Sequence, residues 1–379
     1  MRFLMLNWRD PENPKTGGAE RVTQGYLADL VRRGHEVYWY SEYFEGGTST
    51  SEIDGIHIVR GGTNVLSRLF HVKNWYRQQP RFDLVIDQHH GVPWYSPWWC
   101  GTHCISYIHE VLGSIWRSFY HGWRLPVGII GPWQEKKTLW MYRKVPFWTS
   151  CEATAKALRQ IGVESVTRIP YGVDIVPLAF LEPKPLRQPL KLVFVSRLAP
   201  NKRVDHAIRM TEILLNCGID VSLQIAGGGD SLNDLKNFTA EKGLDKKVTF
   251  TGYLPEREKD LLLQQAHFLV HTSVREGWGL NVIEANAMGT PTLVYPAEGL
   301  TESTLKNETG LISEEETPES LAKCLLAKLD DQAFYDKIRE AAWKRACGFH
   351  WSKILPLASD WLEATARGER NVPYGASWR

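Results

Sequence analysis

Four charged residues in the second half of the chain stand where folding alone disfavours them: Arg197, Lys202, Glu276 and Glu284. In KLVFVSRLAPNKRVDHAIRM a strand ends at about Ser196, a loop carries Arg197 and Lys202, and a helix begins near Arg203. Cations at a helix N-terminus oppose the macrodipole, which favours anions there. A phosphate would remove the conflict, held by two side-chain cations and exposed backbone N–H groups. A solvated basic loop is the plainer alternative. In REGWGLNVIEANAMGTP, residues 275 to 291, Glu276 lies in a loop and Glu284 in the second turn of a short helix. Leu280, Ile283, Ala287 and Met288 form one stripe of that helix, and Glu284 falls inside it, about 40° from Leu280. A buried carboxylate without partners costs several kcal/mol, so it needs donors, and sugar hydroxyls are donors. The alternative is a core Arg or a loop cap. Gly277 and Gly279 permit close backbone approach to a ligand. The N–H groups after Gly277 can hold a second phosphate. Lys202 and Glu284 are therefore expected to face a ligand and to lack protein partners.

These residues need strand ends and helix starts to carry them. RFLMLNW, HEVYWYS, GIHIVRG, DLVIDQ and CISYIHE read as strands in the first half. KLVFVSR, VSLQIAGGG, KVTFTGYL, HFLVHTS and PTLVYP read as strands in the second. Helical patterns cover residues 20 to 33, 65 to 79, 203 to 216, 231 to 243, 256 to 266 and 279 to 288. Buried strands alternating with helices imply an α/β fold with parallel sheets covered on both faces. The alternation restarts near residue 190, which predicts two doubly wound Rossmann-like domains, 1–174 and 190–348. Residues 175 to 191 hold four prolines and read as the hinge, with 175–189 as the linker. The chemical motifs fall just after strands, where doubly wound sheets bind ligands. Residues 349–367 form a closing helix, which Pro356 should kink, and 368–379 a frayed tail.

A chain of 379 residues suits two domains at about 150 residues each. Its net charge of +2 argues for neither nucleic acid nor another polyanion as partner. Six scattered cysteines complete no zinc pattern and read as free thiols of a reducing compartment. No stretch reaches the roughly 18 apolar residues of a membrane span, and MRFLMLNWRD lacks the apolar segment of a signal peptide. A soluble, cytoplasmic protein is expected.

GGAER (17 to 21), SRLxxxKR (196 to 203), AGGGD (226 to 230), TGYLP (251 to 255) and the paired-glutamate segment together resemble the retaining glycosyltransferases of family 4. The resemblance runs in order along nearly the whole chain. It implies the GT-B fold: two Rossmann-like domains facing a deep cleft, acceptor on the first, nucleotide-sugar donor on the second. By the resemblance, Arg197 and Lys202 hold the donor diphosphate, Glu284 the ribose hydroxyls and Glu276 the hydroxyls of the transferred sugar. Gly277, Trp278, Gly279 and Leu280 give backbone contacts, and the base lies near Gly252, Tyr253 and Leu254. Gly17 and Gly18 close over the donor. His109, in Ile108-His109-Glu110, matches the active-site histidine that touches the transferred sugar or steadies developing positive charge. Tyr171 stands where the family usually has Asn. The resemblance also brings the closing helix back onto the first domain. It implies a hexose moved with retention from a UDP- or GDP-linked sugar, with no cofactor. No Asp-x-Asp metal pair occurs in the chain, and Arg and Lys can neutralise a diphosphate without a metal.

Eleven of the sixteen tryptophans precede residue 151. Five of them (Trp116, Trp123, Trp133, Trp140, Trp148) fall in 111–148 beside six basic residues and one acid, Glu135. That mixture suits a glycan or lipid-linked acceptor and a peripheral contact with the inner face of a membrane; a large aromatic core is the alternative. Two other functions fit part of the pattern. A sugar-nucleotide epimerase of similar fold would need no acceptor region, and a non-catalytic binder would tolerate loss of His109 and Glu276. A dinucleotide fingerprint is absent, because AGGGDS breaks the spacing at its last position.

Overall fold

The computed structural model describes residues 1–113, 116 and 125–369. They form two compact units, Met1–Pro170 with the segment from Ser352 onward, and Tyr171–Trp351. The first unit is built on an eight-stranded sheet in the order β3-β4-β2-β1-β5-β6-β7-β8. Its strands are β1 (Arg2–Leu6), β2 (Glu36–Ser41), β3 (Thr50–Ile53), β4 (Ile56–Arg60), β5 (Leu84–His89), β6 (His103–Ile108), β7 (Phe147–Thr149) and β8 (Val166–Arg168). All neighbours pair in parallel except β3 with β4. Every residue of β5 is buried, as expected of a central parallel strand covered on both faces.

The second unit carries a six-stranded, wholly parallel sheet in the order β11-β10-β9-β12-β13-β14. These strands are β9 (Leu190–Val195), β10 (Val221–Ala226), β11 (Val248–Gly252), β12 (Phe268–His271), β13 (Thr292–Val294) and β14 (Gly310–Ile312). The sheet order reverses at β9, flanked by β10 and β12. That reversal is the topological switch point, where open α/β sheets bind ligands beyond the strand C-termini. Arg197 and Lys202 follow β9, and Glu276 follows β12.

The proline-rich stretch after residue 174 is fastened to the second unit. Lys184 Nζ donates to Ala266 O at 2.8 Å and Thr290 Oγ1 at 3.0 Å. Leu178 donates its N–H to Ala287 O at 3.1 Å, and Arg339 donates to Glu182 O at 3.2 Å. The closing helix Trp351–Ala366 runs through Pro356 and packs on the first unit. Ser359 Oγ donates to Asp29 at 2.6 Å, and Arg33 pairs with Asp360 at 2.6 Å and Glu363 at 3.1 Å.

Candidate active site

In the second unit the glycines of 226–230 set the loop that carries Arg197. Gly227 and Gly229 have φ of +130° and +154°, which L side chains rarely adopt. A Cβ on Gly227 would lie 1.9 Å from Ser196 O, and one on Gly229 2.3 Å from Leu198 O. The two loops are locked by Leu198 N–H donating to Gly228 O at 2.8 Å and Ser196 N–H to Ala226 O at 3.1 Å. Arg197, at the tip, is exposed. Beyond it Pro200–Lys202 makes a single 3₁₀ turn, and the helix Val204–Asn216 starts after Arg203, whose φ is +48°. Thr272 Oγ1 donates to the Lys202 and Arg203 carbonyls at 2.9 and 2.8 Å, tying this turn to the end of β12.

Lys202 does not wait for an external anion. Its ammonium pairs with the Glu276 carboxylate, which also accepts from Ser273 Oγ at 2.7 Å and lies 3.4 Å from His271 Nε2. Both side chains of the pair are only 16% exposed. Burial pushes the Glu276 carboxyl up, but Lys202, His271 and Ser273 together outweigh it and hold it below the usual carboxylate range. His271, buried at the strand end, is pushed down to about 4 by burial against the pull of Glu276, and so is neutral near pH 7. Arg203 is likewise engaged, 2.5 Å from Glu316 and over the Tyr295 ring.

Glu284 is also partnered, which corrects the expectation that only a ligand could satisfy it. Lys259, from the helix Glu256–Gln265, reaches Glu284 at 3.2 Å while pairing with Glu256 at 2.6 Å. Lys259 lies 25 positions before Glu284 in the sequence, on a separate helix, so the pairing is invisible until that helix packs. Burial still prevails at Glu284 and raises its pKa, with Lys259 opposing. Lys202, Glu276 and Glu284 are thus paired within the protein, Arg197 alone of the four standing exposed, and the placement of those three does not by itself demand a ligand.

The helix Leu280–Ala287 begins at Gly279, whose φ of +75° leaves the turn little choice but glycine. Gly277 sits in the loop before it. Trp278 is buried against Phe349 with ring centroids 5.5 Å apart, so only its backbone can serve a ligand here. At the end of β11 Gly252 takes φ +71° and accepts from Gly227 N–H at 2.8 Å. Tyr253 next to it is exposed and Leu254 half-buried. Tyr171 is buried in this unit.

The first unit holds a separate feature, a cavity of about 110 Å³ lined by Ala19, His89, His90, His109, Glu135 and Thr138, among others. Gly17 caps the helix Gly18–Arg32, and its N–H donates to Glu20 Oε2 at 2.8 Å. The N-terminus of that helix, through Ala19, and His109 therefore share one wall-to-wall space. His109 is pushed down to about 3 by burial and by His90, so its imidazole is neutral at physiological pH. The loop leading to Gly17 is anchored by a buried pair: Asp10 receives Arg60 Nε and Nη2, both at 2.7 Å, and Ser41 Oγ at 2.6 Å.

Sequence reasoning missed His271, Ser273 and Lys259 in one unit and His89, His90 and Glu135 in the other. The histidines had a visible signal, since HFLVHTS and DLVIDQHHG each end a buried strand in histidine. Of the tryptophan-rich stretch 111–148, Trp148 is core, Trp133 and Trp140 are exposed, and Trp123, Arg117 and Arg124 lie outside the described residues.

Residues 182–345 match the family model described as glycosyl transferases group 1, and residues 16–176 match that of glycosyltransferase family 4. The glycogen synthase of Mycobacterium tuberculosis is 28% identical over 236 residues, 61% of this chain and 57% of that protein. The 2-deoxystreptamine glucosyltransferase of Streptomyces kanamyceticus is 31% identical over 140 residues, 37% of this chain and 36% of that one. The chain thus spans little more than half, or less, of the curated relatives it matches. Among solved structures, sucrose-phosphate synthase from Thermosynechococcus elongatus superposes with a TM-score of 0.76 at 16% identity, covering 97% of this chain and 99% of that one. Anabaena HepE, solved in complex with UDP-glucose, gives 0.70 at 17% identity, covering 96% and 100%. Two Rossmann-like units, motifs at the switch point of the second sheet, and family models matching in succession along the chain lead to one assignment: this protein belongs to the family 4 glycosyltransferases and has their GT-B fold.

Proposed function

We propose that the chain moves a hexose, with retention of anomeric configuration and without a metal, from a UDP- or GDP-linked sugar to a glycan or lipid-linked acceptor. The observation that carries this reading is the buried Lys202–Glu276 pair at the switch point, flanked by Ser273, neutral His271 and exposed Arg197. A diphosphate offers Lys202 a second anion, joined by Arg197. Sugar hydroxyls offer Glu276 the donors that would replace the ammonium. Donor binding is then an exchange of partners rather than the filling of an unmet charge, and the two cations supply the neutralisation that a metal provides elsewhere. Glu284, in the second turn of the adjacent helix, is assigned the ribose hydroxyls. Backbone N–H groups from Gly277 to Leu280 are assigned the phosphates, and Gly252 to Leu254 the base.

In the step itself, the bond from the anomeric carbon to the phosphate oxygen breaks as the acceptor oxygen bonds to that carbon on the same face. The leaving phosphate takes the acceptor proton, so no protein base is consumed. Neutral His109 is assigned to the transferred sugar, where an imidazolium would repel developing positive charge and a neutral ring does not. Gly17 and Gly18 are assigned to closure over the donor. HepE has been solved with UDP-glucose, and TarM with UDP and α-GlcNAc-glycerol. Those complexes support a uridine nucleotide as the first donor to try. NMR of the product formed from an α-linked UDP-hexose should show an α-glycoside, at a rate unchanged by EDTA. A β-product, or EDTA inhibition reversed by magnesium, would overturn the reading.

A further inference from the structure

The helix Leu125–Met141 leaves large apolar side chains on its water-facing side. Its inward face is Gly128, Gly131, Glu135, Thr138 and Leu139. Its outward face carries Val127, Ile129, Ile130, Trp133, Trp140 and Met141, with Ile129, Ile130, Trp133 and Trp140 each more than half exposed. At 3.6 residues per turn these side chains form one continuous stripe. The polar groups that share it are Gln134, Lys136, Lys137 and, just past the helix, Lys144. The stretch 125–144 has one acid, Glu135, and it is turned inward, accepting from Leu112 N–H at 2.9 Å and Gly113 N–H at 2.8 Å. The ammonium of Lys137 stands 5.1 Å from the Trp133 ring, and Arg143 4.1 Å from the Trp140 ring.

Exposed isoleucines and tryptophans on one face mark an interaction surface. The chemistry of its rim selects the occupant. Lysines interleaved with tryptophans, with no acid on the face, match an anionic headgroup layer, in which indoles settle at the interface and ammonium groups meet phosphates. A protein partner would ask for both signs of charge or a purely apolar groove. From these features the geometry points to a peripheral membrane-docking face: the outward stripe of residues 127–144 seats on a bilayer of anionic lipid. No helix among the described residues is long and apolar enough to cross a membrane, so the contact lies in the interface. The opposite side of the same helix, through Glu135, Thr138 and Leu139, lines the cavity that holds His109. One helix thickness therefore separates the docking face from that cavity, which favours an acceptor presented from the membrane. The docking face stands apart from the donor chemistry, and either can fail alone.

Co-sedimentation with vesicles tests it, with phosphatidylglycerol–phosphatidylcholine vesicles compared with phosphatidylcholine alone. The chain should pellet with the anionic vesicles, less so as salt is raised. The triple substitution Ile130→Gln, Trp133→Gln and Trp140→Gln should lower the partition coefficient by about tenfold or more. Lys136→Glu with Lys137→Glu should do the same through charge alone. Both variants should keep the wild-type melting temperature. Wild type remaining in the supernatant, or both variants pelleting like wild type, would overturn the proposal. So would a dimer in solution that the triple variant splits, because a second copy would then be the occupant.

Discussion

Glu276→Gln should lower the transfer rate on the order of a thousandfold, the scale on which a buried charge aimed at the reacting group acts. The amide keeps the shape of the side chain, and Ser273 at 2.7 Å can still bond its oxygen. What is lost is the negative charge that balances Lys202 and that the proposed function assigns to the sugar hydroxyls. Lys202→Ala is worse for the fold than for the chemistry. It strands a carboxylate of low exposure beside a neutral imidazole, and breaking a buried pair from one side costs about 3–5 kcal/mol. The double variant Lys202→Ala/Glu276→Gln should therefore recover most of the stability lost in Lys202→Ala and none of the activity. Guanidinium unfolding and initial rates on the four proteins close the cycle. Additive stability losses, or a Glu276→Gln enzyme with near wild-type turnover, would remove the pair from the mechanism.

The second large effect is on stability against acid. His89 and His271 are both buried, and burial pushes each down to about 4, opposed by Asp87 and Glu276 respectively. Unfolding restores their ordinary pKa near 6.5, so below that pH the unfolded chain binds protons that the native one does not. Their stabilising contribution is complete above about 6.5 and drains away as pH falls toward 4, by up to about 3 kcal/mol per histidine. Glu276, held below the carboxylate range, extends the loss to still lower pH. Glu284 acts in the opposite sense, because its raised pKa lets the native state take up a proton first. Its one proton does not offset the two imidazoles. Denaturant midpoints measured from pH 7.5 down to pH 4.5 should fall steeply below about 6.5. His89→Gln and His271→Gln should each flatten the slope. A slope untouched by either substitution would show that the acid sensitivity lies elsewhere.

The long central strands were legible because parallel strands buried on both faces read as unbroken apolar runs. DLVIDQ and KLVFVSR are β5 and β9 almost residue for residue. Short or peripheral elements were not. Phe147–Thr149 and Gly310–Ile312 hold three residues each, too few for any period to show. The edge strand Thr50–Ile53 is polar and paired on one side only, although Asp54-Gly55, with φ of +51° and +76°, is a hairpin signal in plain view. The helix Leu125–Met141 was masked by Gly128, Gly131 and Pro132, and by a pattern whose apolar side faces outward. At the site, residue types and loop positions could be read, but pairings could not. Lys202 meets Glu276 across 74 positions and Glu284 meets Lys259 across 25, and nothing local to either segment announces the other. The prediction that those charges lack protein partners failed for that reason.

Binding of nucleotides, followed by the melting temperature in EDTA, tests the central claim most directly, since a ligand that binds only the native state raises it by mass action. Among UDP, GDP, ADP and uridine, one diphosphate should raise the melting temperature of the wild type and uridine should not. Lys202→Ala and Glu284→Gln should each abolish that rise. A rise that survives unchanged in both variants, or that appears only when magnesium is added, would place the donor somewhere other than the end of β9 and β12.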